Sequence, residues 1–217
     1  SGPYAAFSDE QMKAVRLQEQ RKAAAIGEYA FMAQLGHPSS DIKDAEKRAL
    51  LVETLATLIK EARPEVIYTH NPLDKHATHV GVSMAVIDAI RSLPEEARPR
   101  RLLGCEVWRD LDWLPDGKKV VLDVSAHPNL VAALNGVFDS QITGGKRYDR
   151  AVLGRRHANA TFLESHAIDT ATEVTFALDL SPLIHGGNVN PGDFVKALID
   201  EFREEALALV HKLTTQS

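Results

Sequence analysis

The sequence predicts an α/β fold, in which a mostly parallel β-sheet is covered by helices on both faces. Three observations predict this class. Short apolar runs suited to strands alternate along the chain with longer segments suited to amphipathic helices. The 217 residues are 44% hydrophobic and 25% charged, which is ordinary for a globular protein. One strand-like run passes directly into a His-rich loop and then a helix, the arrangement that open α/β sheets show at the edge where ligands bind.

The first half of the chain contains three predicted helices and one strand. Ser8 and Gln11, three residues apart, are typical of a capping box, so a long helix is expected to begin at Ser8. Pro64 ends the second helix, because proline cannot continue a helix. In chain order the predicted elements are a helix from Ser8 to about Leu35, a helix from about Asp44 to Ala62 with Leu50, Leu51, Leu55, Leu58 and Ile59 on one face, a strand at 65–70, and a helix to about Ser92.

The second half continues the alternation. The predicted elements are strands at 102–108 and 119–124, a helix at 128–138, a helix from about Asp149 to Leu163, a strand from Val174 to Leu180 and a helix at about 193–213. No linker divides the chain, so one domain is predicted over residues 1–217. Two long helices precede the first strand, whereas an α/β domain normally opens on a strand. Either the fold begins helically, or one or more opening strands are missing and these residues are the C-terminal portion of a longer chain.

Composition and charge exclude several classes of protein. The net charge of −5 predicts no basic surface, so nucleic acid is not an expected partner. No apolar run approaches the roughly 18 residues needed to span a bilayer. The single cysteine, Cys105, excludes an internal disulfide framework and favours a reducing, cytoplasmic location. The sequence lacks both a Gly-x-Ser-x-Gly elbow and a phosphate-binding glycine loop, which argues against serine-hydrolase and nucleotide-binding chemistry.

Residues 69–79 carry the clearest functional signal, because three histidines and one aspartate occur within eleven residues. His76 and His79 are three residues apart, so on the first turn of a helix both rings share one face, with Cβ atoms about 5–6 Å apart. This spacing suits one metal ion, or one metal ligand beside a proton-transfer group. Histidine and aspartate accept zinc and several other divalent ions, so the spacing leaves the identity of the metal open.

The segment from Tyr68 to His79 closely resembles the second metal-site motif of the PIG-L/LmbE-type N-deacetylases, which are zinc-dependent amide hydrolases with a Rossmann-like fold. The resemblance covers nearly the whole chain and implies a hydrolase that removes an N-acetyl group from an amino sugar or a conjugate of one, a small-molecule substrate. The other segments that resemble the family are Arg16-Leu17-Gln18-Glu19, Glu106-Val107-Trp108-Arg109, Ser140-Gln141, Gly144 to Asp149, and Gly154-Arg155-Arg156.

The resemblance also implies roles for individual residues. His79 would ligate the zinc ion, and His76 would face the substrate, stabilise the oxyanion and protonate the departing amine. Thr78 stands where related enzymes carry an acidic residue, so Asp74 is the nearest carboxylate that could assist catalysis by His76.

Three further assignments keep an ordinary alternative open. His70 would orient a metal ligand without binding the metal itself, or it is simply a hydrogen-bonded residue at a strand end. Arg16 and Arg109 are candidate substrate contacts, or they form ion pairs at the surface, Arg16 with Glu19. Asp74 could equally be a turn residue between Pro72 and the helix.

One part of the family pattern is missing. The family's first motif, Ala-His-Pro-Asp-Asp, supplies two zinc ligands and the carboxylate that activates water, and it belongs before the Arg-x-x-Glu helix. Ala126-His127-Pro128-Asn129 lacks both carboxylates and follows the second motif, so His127 is interpreted as a turn or helix-start residue. We favour a longer enzyme whose upstream segment carries the motif. A catalytically silent α/β binding module and a metal site completed by another chain, as in a homo-oligomer, remain alternatives.

Overall fold

The structure is a computed structural model that describes residues 2–187 and 189–214. Its α/β class agrees with the prediction. The strands form one sheet in the order β1-β2-β4-β3, namely β1 (Val66–His70), β2 (Arg101–Cys105), β3 (Lys119–Asp123) and β4 (Val174–Asp179). The α-helices of the described residues are α1 (Asp9–Ile26), α2 (Ser39–Lys43), α3 (Ala49–Ala62), α4 (Ala77–Arg91), α5 (Pro128–Gly136), α6 (Asp139–Ile142), α7 (Tyr148–Phe162) and α8 (Pro191–Thr214).

The sheet contains both parallel and antiparallel pairs. β1 and β2 are parallel, with His70 opposite Cys105 at their carboxyl ends. β4 runs antiparallel to β2, with Leu103 opposite Asp179. The sheet is therefore mixed rather than mostly parallel, because alternating apolar runs reveal where strands occur but not their direction. The parallel pair brings the residues that follow β1 and those that follow β2 to the same edge.

The chain divides into two compact units. Unit 1 consists of residues 1–36 and 122–175, and unit 2 consists of residues 37–121 and 176–217. The prediction of one domain that continues upstream remains a prediction. No helix within residues 2–187 and 189–214 combines the length and the apolar character that a bilayer span requires.

Helix α4 is the central helix of unit 2. It contacts α2, α3 and β1, and its residues Ile87 and Ile90 are fully buried. The approach of α2 depends on Gly81, because a Cβ atom at that position would lie 2.5 Å from the carbonyl oxygen of Ile42. This close packing fixes the first turn of α4, which carries His79.

The first helix is shorter than predicted. The capping box is confirmed, since the backbone N–H of Ser8 donates to Gln11 Oε1 at 2.8 Å and the backbone N–H of Gln11 donates to Ser8 Oγ at 3.3 Å. The expected continuation to Leu35 is wrong, because α1 ends at Ile26. Glu28 then adopts a φ of 51°, a left-handed conformation that a right-handed helix cannot include.

Two further boundaries differ from prediction. The second long helix begins at Ala49 rather than Asp44, because the Asp44 carboxylate accepts hydrogen bonds from the backbone N–H groups of Glu46 and Lys47 and forms a turn instead. Leu50, placed on the buried face by its spacing, is 61% exposed at the start of this helix. Strand β2 ends at Cys105 instead of continuing to residue 108.

Candidate functional site

The site loop, residues 71–76, leads from β1 to α4 through two side-chain turns. The backbone N–H of Leu73 donates to Asn71 Oδ1, and that of His76 donates to Asp74 Oδ1, both at 2.8 Å. Asparagine and aspartate favour such turns because their short side chains reach the backbone two residues on. The interpretation of Asp74 as a turn residue is therefore confirmed. The turn involves only the Oδ1 atom of the carboxylate.

The second oxygen of Asp74 contacts His79. Asp74 Oδ2 lies 2.9 Å from His79 Nδ1, and the Asp74 side chain is only 2% exposed. An ionised carboxylate can only accept hydrogen bonds, so His79 donates through Nδ1–H, and in the neutral ring the lone pair is then on Nε2. Nε2 of a neutral imidazole is a common metal-ligating atom. The carboxylate thus holds His79 in a form that is able to bind metal.

His70 completes a group of three possible ligands. Its ring stacks on the ring of His79, with centroids 4.0 Å apart and planes within 5° of parallel. Ligand atoms of His70, Asp74 and His79 all lie within 4.8 Å of one another. Burial lowers the pKa of His70, and the neighbouring His79 lowers it further while Asp74 acts in the opposite direction. The neutral imidazole, which is the form that ligates a metal, is favoured.

The donor set fits a divalent metal such as zinc. Two imidazole nitrogens and one carboxylate oxygen are ligands that zinc uses in proteins. An ion that binds in the plane of one imidazole ring cannot also lie in the plane of a second ring stacked parallel to it. Joint ligation by His70 and His79 therefore requires one ring to turn, whereas ligation by His79 supported by Asp74 does not.

His76 borders this group without joining it. The residue is exposed and directly precedes the first turn of α4. Its ring meets the ring of His79 edge-on at 5.2 Å between centroids and that of Trp108 at 4.5 Å. The Lys75 Nζ atom lies 5.6 Å from the centroid of Trp108. An exposed imidazole between an aromatic wall and the possible metal ligands is well placed to transfer a proton to a bound molecule.

Arg109 hydrogen-bonds to the site loop. Its Nη1 atom donates to the carbonyl oxygen of Leu73 at 2.9 Å, and its backbone N–H donates to Glu106 Oε1 at 3.2 Å. Glu106 is buried, and its Oε2 atom has no hydrogen-bond partner among the described residues. Burial raises the pKa of Glu106, opposed by the hydrogen bond from Arg109 and reinforced by Asp74. Arg109, predicted as a substrate contact, thus connects a buried acid to the loop that carries Asp74.

Trp108 and Glu106 are the site residues that the sequence interpretation missed. Both belong to the segment from Glu106 to Arg109 that resembles the family, but the sequence gives neither of them a role at the site. Both follow β2, whose carboxyl end lies beside that of β1 in the parallel pair. These two residues could have been found by predicting that β1 and β2 are parallel neighbours, because that pairing places residues 106–109 beside the site loop.

Arg16 lies in unit 1, where the segment from Arg16 to Glu19 forms hydrogen bonds with the segment Ser140-Gln141, and the two segments separately resemble the family. Both oxygens of buried Glu19 accept hydrogen bonds from Ser140, one from its backbone N–H and one from its hydroxyl, each at 2.7 Å. With the Gln141 amide oriented so that its oxygen meets donors and its nitrogen meets acceptors, the oxygen accepts a hydrogen bond from Arg16 Nη2 at 2.6 Å. Glu19 is therefore a buried partner of Ser140 rather than half of an exposed pair with Arg16.

His127 directly precedes α5, and Pro128 is the first residue of that helix. The interpretation of His127 as a helix-start residue is confirmed. Proline is favoured at this position because it needs no hydrogen-bond partner for a backbone N–H.

Comparisons with known proteins bear on the family resemblance and on the fold. Residues 2–90 match the PIG-L family, described as GlcNAc-PI de-N-acetylase, which confirms the predicted resemblance over that range. The matched range contains Arg16 and the whole site loop. The chain is also similar to the crystal structure of the conserved protein TT1542 from Thermus thermophilus, with a TM-score of 0.61 and 20% identity over 80% of this chain and 76% of that chain. At this identity the likeness establishes the fold. No curated protein matches the chain.

Proposed function

We propose that this chain hydrolyses an N-acyl group with the help of a bound divalent metal, because residues 2–90 match the PIG-L de-N-acetylases. Zinc is the metal proposed first. The proposed substrate is a small molecule, an N-acetylated amino sugar or a conjugate of one, in a reducing, cytoplasmic compartment. One observation carries the proposal: His70, Asp74 and His79 form a group of possible metal ligands inside the matched range. A family match without such ligands would support only the fold.

His79 would ligate the metal with Asp74 supporting it, and His70 would join as a ligand once its ring turns out of the stacked arrangement. When bound, zinc supplies Lewis acidity toward an acyl oxygen and makes water a nucleophile at neutral pH. Asp74 keeps His79 in the tautomer whose Nε2 atom carries the lone pair. The low pKa of His70 keeps its imidazole available as well.

His76 is the proposed proton donor. Its protonated ring would donate a hydrogen bond to the oxyanion that forms when the amide carbonyl is attacked, and would then transfer the proton to the departing nitrogen. Trp108, in contact with His76, offers an apolar wall for the substrate. Asp74 supports His76 indirectly, through the backbone N–H of His76. Arg109 remains a proposed substrate contact, and its hydrogen bond to Leu73 gives it a positioning role as well. The substrate role predicted for Arg16, which lies in unit 1, stays a prediction.

The test combines metal content with product release. Purified wild type is analysed for zinc and incubated with N-acetylglucosamine and N-acetylglucosaminyl conjugates while acetate release is measured. His79→Ala is compared with His127→Ala, a matched control in which the histidine precedes a helix of unit 1. We expect about one zinc per chain in wild type and the control, loss of zinc in His79→Ala, and acetate release that follows the zinc content.

Two outcomes would overturn the proposal. Zinc binding without acetate release from any of these compounds would indicate a metal-binding module rather than a deacetylase. A folded chain without zinc, even after addition of zinc salts, would indicate the catalytically silent α/β module.

A further inference from the structure

The last helix, α8, is exposed over its second half. It spans 24 residues, about 36 Å at 1.5 Å per residue, and Leu198 in its first half is buried. Every residue from Glu201 to Thr214 is exposed, including several large apolar side chains. The most exposed of these are Leu209 at 60%, Val210 at 54% and Leu213 at 71%. An exposed helical segment gains little stability from packing in water, and a cluster of exposed apolar side chains marks an interaction surface.

The exposed apolar residues follow a coiled-coil pattern. The α8 seam, defined as Ile199, Phe202, Ala206, Leu209 and Leu213, has successive spacings of three, four, three and four residues. This is the a/d spacing that keeps one apolar stripe facing a partner helix. The seam therefore fits a second helix of the same kind better than an irregular apolar ligand.

The charges beside the seam select the partner and its direction. Glu205 and Lys212 directly precede two a positions of the seam, Ala206 and Leu213, so both are g positions. In an antiparallel pair of helices g positions face g positions, and Glu205 of each copy faces Lys212 of the other. In a parallel pair Glu205 would face the apolar Val210. The chain is thus complementary to itself in the antiparallel direction, and the twofold symmetry of such a pair forms the ion pair twice.

We infer that two copies of this chain associate through the α8 seam, packed antiparallel about a twofold axis between Leu207 and Ala208. Phe202 of each copy then packs on Leu213 of the other, and Ala206 packs on Leu209. The small Ala206 opposite Leu209 lets the helices approach closely at the centre. The seam is short, so the dimer is at the small end of specific interfaces and its dissociation constant is on the order of micromolar. This inference is independent of the proposed deacetylase chemistry.

Charge reversal tests the pairing in the full chain by sedimentation equilibrium. Glu205→Lys places two lysines opposite each other, and Lys212→Glu places two glutamates opposite each other. Each single variant should weaken the dimer by about tenfold or more, since two attractive contacts become repulsive. An equimolar mixture of the two variants should dimerise again, because each charge meets its opposite in the mixed pair. Glu204→Lys is the control, with the same change of charge on the opposite side of the helix.

The outcomes separate the inference from its alternatives. Circular dichroism first verifies that each variant keeps its helical signal. Concentration-dependent dimerisation, its loss in both single variants and its recovery in the mixture support the antiparallel pair. A wild type that remains monomeric at concentrations of several hundred micromolar overturns the inference, and so do single variants that dimerise like wild type or a mixture that stays monomeric.

Discussion

Asp74 Oδ2 lies 2.9 Å from His79 Nδ1, and the other carboxylate oxygen of Asp74 accepts the backbone N–H of His76. One buried carboxylate therefore fixes the orientation of a possible metal ligand and the backbone of the proposed proton donor. Because both oxygens are engaged, a change at Asp74 affects both histidines.

Asp74→Asn should weaken zinc binding by about 10–100-fold with little effect on the fold. Asparagine keeps the acceptor for the backbone N–H of His76, but it loses the negative charge and the carboxylate that supports His79. Competition with a chromophoric chelator measures the affinity. Asp44→Asn, which replaces another turn-forming aspartate of unit 2, is the control. Equal zinc affinity in Asp74→Asn and wild type would contradict the prediction.

His76→Gln should lower kcat by about 10²–10⁴-fold while the zinc content stays unchanged. Its imidazole is exposed and lies outside the group of possible ligands, so its loss removes the proton donor and leaves the metal in place. Acetate release and elemental analysis of the same preparation measure both quantities. Loss of zinc together with activity would instead make His76 a ligand.

Arg109→Ala should lower zinc affinity and kcat, because the site loop loses the hydrogen bond to the carbonyl oxygen of Leu73. Loss of this charge-assisted bond should also lower the free energy of unfolding by about 1.5–3 kcal/mol. Arg109→Lys keeps a cationic donor and should restore part of both properties. A rise in KM with kcat and zinc affinity unchanged would show that Arg109 acts only as a substrate contact.

Glu106→Gln should stabilise the protein at neutral pH and have a smaller effect at acid pH. The pKa of Glu106 is raised in the folded state above its ordinary value of 4.5, so the folded state binds more protons than the unfolded state just above that value. Stability from this residue is therefore full below pH 4.5 and falls as the pH rises through the folded pKa. Glutamine has no charge to bury. Urea unfolding of both proteins at about pH 4.5 and about pH 7.5 measures the difference, and a benefit that does not grow with pH would refute the prediction.

Gly81→Ala should destabilise the protein by about 1–3 kcal/mol, because the added methyl group meets the carbonyl oxygen of Ile42. Gly154→Ala is the matched control, since Gly154 also lies in a helix and its Cβ position meets no atom within 4 Å. That variant should be neutral or stabilising by about 0.5–1 kcal/mol. Urea midpoints compare the three proteins. Similar midpoints for the two variants would show that α2 can move away from α4.

Local patterns were sufficient for several elements. Ser8 and Gln11 predicted the capping box because both partners lie within one helical turn. The spacing of His76 and His79 predicted neighbouring rings, and the rings do meet at 5.2 Å between centroids, although His76 precedes the helix instead of lying on its first turn. The end of α1 was not predicted, because residues 27–35 contain apolar side chains and no proline. In the structure Gly27 caps the helix and Glu28 has a left-handed backbone.

The sequence by itself determined the α/β class, the strand–loop–helix segment from Val66 to Arg91 and the residue types able to bind a metal, since these depend on hydrophobic periodicity and on chemistry carried within a few residues. Only the tertiary structure decided that β4 is antiparallel to β2, that His70 stacks on His79, and that Trp108 and Glu106 adjoin the site loop. These features depend on contacts between residues far apart in the chain. Such contacts follow from the direction and register of strand pairing, which apolar patterns do not encode.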